Sequence, residues 1–85
     1  MTLQELDRLL ISKNYMYFGN NTYRKDVQNG ITITVTCNSN RVNINVNLYD
    51  TNINQILTLH NLTDELLEKY IKTFRNKIKE LKKEL

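Results

Sequence analysis

The chain has 85 residues, a formal charge of +3, 40% hydrophobic residues and 25% charged residues. That composition fits one small soluble domain spanning residues 1–85, with a thin core and little room for a deep substrate pocket. A lone cysteine, Cys37, excludes an internal disulfide and a Cys-based metal cluster.

Met1 leads directly into a polar amphipathic stretch, and the longest apolar run is Leu9–Leu10–Ile11. No secretory signal or membrane span is read from this, so a cytoplasmic protein is expected. There is no Pro, Trp or Ala, only two Gly, and Asn occurs thirteen times. No repeat, linker or low-complexity segment is evident.

Thr2 and Glu5 form the pattern of a capping box, in which each side chain serves the other residue's backbone N–H. Leu3, Leu6, Leu9 and Leu10 follow at helical spacing, which predicts a helix over about residues 3–12. Asn14 ends it, since Asn tolerates the left-handed conformation.

The aromatic run Tyr15 to Phe18 reads as a strand. Gly19–Asn20–Asn21 turns the chain, and Thr22 to Val27 returns. Gln28–Asn29–Gly30 is a second turn carrying the Asn-Gly hairpin signal. Ile31, Ile33, Val35 and Cys37 alternate with Thr32, Thr34 and Thr36. After a turn at Asn38–Ser39–Asn40, Val42, Ile44, Val46 and Leu48 alternate with Asn43, Asn45 and Asn47. Such period-two alternation predicts an antiparallel sheet with one buried and one wet face.

Asp50–Thr51–Asn52 reads as a further turn. Residues 53–60 read as a fifth strand or an irregular packed segment, with the strand favoured. Thr63 then caps a long helix over about 64–84, with Asp64 and Glu65 complementing its dipole. Leu62 and Leu67 are spaced as a hydrophobic staple. The expected fold is α+β: an N-terminal helix, a four- to five-stranded antiparallel meander and a long C-terminal helix. Both helices cover one face of the sheet.

Catalytic chemistry is poorly supplied, and no cofactor or metal is expected. His60 is the only histidine and falls in a loop. Cys37 falls on the apolar face of its strand and reads as core. Ser12 and Ser39 have no sequence neighbour that would activate them, and no phosphate loop or metal motif is present.

The last helix is different. Residues 69–85 carry seven basic and two acidic groups, a net of +5, while the preceding 68 residues are net −2. At helical pitch Lys72, Arg75, Lys79, Lys82 and Lys83 fall along one flank, beside the apolar stripe Leu67, Ile71, Phe74, Ile78, Leu81 and Leu85. This is a candidate contact for phosphates or an acidic protein surface; the plainer reading is a solvated face. Glu65–Lys69 and Glu68–Lys72 are spaced as i,i+4 ion pairs. Lysine dominates the ridge, so a nucleic-acid contact there is with the backbone and salt-sensitive.

The helix is about 32 Å long and outruns strands of about 25 Å. Ile78, Leu81 and Leu85 near its end are therefore candidates for self-association through a heptad-like seam. The alternative is that Leu3, Leu6 and Leu10 of the first helix cover them. The Thr and Asn face of the sheet is a third candidate surface, with cross-strand hydrogen bonding as its plain explanation. Whether Tyr15, Tyr17 or Tyr23 shares that face depends on register.

The helix–strands–helix order is similar to that of double-stranded-RNA-binding domains. Those place lysines at the start of the last helix, where this chain has Thr63–Asp64–Glu65. In the hairpin Gly19-Asn-Asn-Thr-Tyr-Arg-Lys25, the strand opening Asn29-Gly-Ile-Thr-Ile-Thr-Val35 and the helix start Leu62-Thr-Asp-Glu-Leu-Leu67, the chain resembles small proteins of phages and mobile elements. Anti-CRISPR inhibitors are among them. The resemblance is one of element order and transfers no functional residue. It implies a non-enzymatic inhibitor of a host defence complex, working in the host cytoplasm by protein–protein contact. DNA mimicry does not fit a basic chain. The other readings kept open are a nucleic-acid-binding accessory protein and a small self-associating assembly protein.

Overall fold

The computed structural model describes residues 1–83, the side chains of residues 82 and 83 excepted. Helix α1 spans Leu3–Ser12, and strands β1 Met16–Tyr17, β2 Thr22–Asp26, β3 Ile31–Asn38, β4 Arg41–Leu48 and β5 Thr51–Thr58 follow. Helix α2, Asp64–Lys83, closes the order. The strands form one antiparallel sheet in chain order, β1-β2-β3-β4-β5, so residues 53–58 belong to a full fifth strand. The expected α+β architecture is the one observed. No helix among the described residues is long and apolar enough to cross a membrane.

The caps explain where the helices stop and start. Both arms of the Thr2–Glu5 capping box are present, at 3.2 and 3.0 Å. At the other end of α1, Asn14 takes φ 70°. Its N–H donates to the Ile11 carbonyl and that of Tyr15 to the Leu10 carbonyl, each at 3.0 Å. These are the two bonds of a Schellman motif, with Asn in the position usually held by Gly. In α2, the Thr63 hydroxyl accepts from the Leu66 N–H at 3.1 Å, and the staple residues Leu62 and Leu67 are both buried.

The alternating residues of β3 and β4 fill the core. Ile31, Ile33, Val35, Cys37, Val42, Ile44, Val46 and Leu48 join Leu6 and Leu10 of α1 and Leu67, Ile71 and Ile78 of α2 in one buried cluster. Register settles the tyrosines. Tyr17 pairs with Tyr23 and Tyr23 with Val35, which places them on the covered face. Tyr15 is buried beside them. The Tyr23 hydroxyl donates to the Asp7 carboxylate and so ties β2 to α1.

Three local expectations change. The first strand shrinks to Met16–Tyr17, because Tyr15 completes the α1 cap and enters the core. The last hairpin turns at Tyr49–Asp50, with Tyr49 at φ 55°, and Thr51 already pairs with Leu48. That two-residue turn sets the parity that puts Ile53 and Leu57 opposite Val46 and Val42. The third change concerns the self-association seam. Ile78 is fully buried in the chain's own core, so it is not an exposed seam residue, whereas Leu81 is 39% exposed. Leu85 lies outside the described residues.

Candidate basic groove on the last helix

Residues at positions 68, 72, 75, 76 and 79 share one flank of a helix by three- and four-residue spacing. In α2 that flank opens into a groove of about 350 Å³ lined by Glu68, Ile71, Lys72, Arg75, Asn76 and Lys79. Ile71 forms its buried floor, Arg75 is half-buried, and Lys72 and Lys79 are exposed. The structure thus brings three of the five cations of the proposed ridge to one surface. Lys82 and Lys83 continue the helix backbone, and their side chains lie outside the described residues.

The carboxylates near the groove are engaged elsewhere. Lys13, at the C-cap of α1, reaches Glu68 at 2.8 Å and Asp64 at 3.0 Å. These two contacts, Glu68 first, hold the Lys13 ammonium above its ordinary pKa. The helical pairs Glu68–Lys72 and Glu65–Lys69 do not form. Lys13 sits at the end of a packed element and is only 23% exposed, so it loses less freedom on pairing than a free helix-surface lysine. Among the described residues, Lys72, Arg75 and Lys79 make no ion pair.

A fourth cation stands at the same corner. The Tyr15 ring carries the Lys25 ammonium 5.6 Å from its centroid. Burial raises the Tyr15 phenol pKa most, with the Glu68 charge adding to the rise and Arg75 opposing it. Tyr15 therefore lies between β2 and α2, with cations approaching it from both. Lys25 was missed from sequence because its side depends on register. The signal was in the alternation, since Tyr23 faces inward and Lys25 is two residues on.

The other candidates stay quiet. Cys37 is buried, and burial pushes its thiol pKa up, away from the reactive thiolate. His60 is exposed, and its backbone N–H donates to the Asn40 side chain at 2.9 Å. No group of three His, Cys, Asp or Glu residues among those described is placed to hold a metal ion. On the bare face, Thr32, Thr34 and Thr36 pair with Asn47, Asn45 and Asn43. Asn45 donates to Asn52 at 2.6 Å, and Thr32 to Asp26 at 3.1 Å. This face carries none of Tyr15, Tyr17 and Tyr23; Phe18 is exposed, with the Arg24 guanidinium 6.0 Å over its ring. Comparison of the chain with protein-family models, curated proteins and solved structures finds no match.

Proposed function

We propose that the protein is a non-enzymatic binding protein whose basic groove docks on an acidic surface of a partner. The partner class follows the resemblance to anti-CRISPR inhibitors: a host defence complex, engaged by protein–protein contact. The observation that carries the reading is the groove itself, where Lys72, Arg75 and Lys79 converge without ion pairs among the described residues while Lys13 occupies Glu68. Cations left unpaired on a packed helix keep their full field for a partner.

The test is phage plaquing on a host with an active defence system. Expression of the protein raises the plaque count, and K72E/R75E/K79E returns it to the undefeated level. No rise with the parent protein, or a rise retained by the triple variant, removes the reading.

A second reading is contact with a nucleic-acid backbone, favoured by the linear spacing of the same cations along α2. Binding to a labelled duplex then falls at least tenfold between about 50 and 200 mM salt and disappears in the triple variant. Binding indifferent to salt would sink it.

A further inference from the structure

β5 ends the strand order, and no strand pairs with its far edge among the described residues. The direction of its free backbone groups follows from the ladder. The Leu59 N–H donates to the Asn40 carbonyl at 2.7 Å, and the pairing continues in unbroken register from Arg41↔Thr58 to Leu48↔Thr51. Antiparallel pairs exchange hydrogen bonds at alternate positions. Thr51, Ile53, Gln55 and Leu57 therefore bond to β4, and Asn52, Asn54, Ile56 and Thr58 turn N–H and C=O outward. All four are exposed. Two of the outward carbonyls accept one long bond each, at 3.3 Å, from the Asn61 N–H and the Gln55 side chain. Each keeps a second lone pair.

Edges of this kind are normally guarded by charge, proline, a bulge or brevity. β1, at the opposite edge, is guarded by brevity, with two residues. β5 has eight residues, Thr-Asn-Ile-Asn-Gln-Ile-Leu-Thr, and none of those guards. In a chain of net charge +3 this neutral strand is a place where two copies meet without opposing like charges at the seam.

We propose that β5 pairs antiparallel with β5 of a second copy about a twofold axis at Gln55, making one continuous sheet. Same-facing side chains must oppose each other, which restricts the centre of pairing to a residue position. Centring on Gln55 sets Asn52 against the second copy's Thr58 and Asn54 against its Ile56. All four outward residues are used, and about eight hydrogen bonds form. Centring on Asn54 or Ile56 leaves one of the four unpaired. On the covered face, Ile53 meets the second copy's Leu57, so the half-buried apolar row of each copy continues into the other. This seam is separate from Leu81 on α2 and does not depend on the basic groove. It is about 26 Å long and one sheet thick, small among specific interfaces.

Sedimentation equilibrium of the full chain from about 5 μM to about 1 mM tests it. The mass rises from 10.1 kDa toward twice that value. N54K/I56K, which crowds four lysines at the seam, stays monomeric with an unchanged melting temperature. Gln55 lies on the axis, at a non-hydrogen-bonded position where facing Cα atoms are about 4.5 Å apart, within disulfide reach. Q55C therefore oxidises to a covalent dimer and N52C does not. A monomer at every concentration overturns the proposal. So does association that survives N54K/I56K, or equal cross-linking at positions 52 and 55.

Discussion

On the covered face, β3 and β4 carry Ile, Val, Cys and Leu; on the bare face they carry Thr and Asn at the same pitch. The backbone ladder is common to both, so the difference lies in what each row can do once placed. The covered row is 5% exposed or less at every position and is sealed by α1 and α2. The bare row bonds sideways where it can, as in Asn45–Asn52 and Thr32–Asp26, and stays half-buried among its own neighbours. Burial is concentrated on one face.

The sharpest way to break that comparison is a matched pair of truncations. Ile44→Ala removes a side chain with no solvent exposure and should cost about 3–4 kcal/mol. Thr34→Ala, one strand away on the bare face, should cost about 1 kcal/mol or less. Equal losses in denaturant titration would mean that the bare face also bears load.

A pH series separates the faces next. Tyr15 and Tyr23 on the covered side, the Cys37 thiol and the Lys13 ammonium all have pKa values raised in the fold. Burial is the main cause for the first three, helped at Tyr23 by its bond to Asp7; Glu68 and Asp64 act on Lys13. A raised group holds its proton more tightly folded than unfolded. Its contribution is complete below the ordinary value and is lost progressively as pH climbs from there through the raised one. Those ordinary values are 9.0 for Cys, 10.0 for Tyr and 10.5 for Lys. The melting temperature should hold steady from neutral pH to about 9 and then fall. Tyr23→Phe should flatten that fall; an unchanged alkaline limb would contradict the assignment.

The smallest effect sharpens the picture of the bare face. The Asn43 side-chain oxygen is buried there without a hydrogen-bond partner. Asn43→Thr substitutes a hydroxyl that can bond to its neighbours and should stabilise by about 0.5–1 kcal/mol. A destabilised variant in thermal unfolding would show that the oxygen is satisfied in solution.

Much of the fold was legible because its determinants are local. The alternation from Ile31 to Leu48, the Thr2–Glu5 box, the Asn14 cap and the Leu62–Leu67 staple each act within a few residues of chain. What was not legible depends on distant neighbours. Whether Tyr17 faces inward is decided by β2, whether Ile78 is covered by the rest of the core, and whether Glu68 chooses Lys72 or Lys13 by where α1 ends. The groove was half visible: helical pitch placed Lys72, Arg75 and Lys79 together. The alternation in β2 puts Lys25 on the same side as Tyr23, but which side that is follows only from the pairing of Tyr23 with Val35 on the neighbouring strand.

The strictly sequential strand order has a consequence in time. Each strand pairs with the one before it across a loop of two to four residues, so every closure is short and cheap in entropy. The sheet can therefore zip strand by strand from short closures, whereas closing the core waits for α2, whose Leu67, Ile71 and Ile78 follow every strand in the chain. A sheet covered by α1 alone still shows much of its apolar face, so the docking of α2 is the step at which a folding chain is most exposed to aggregation.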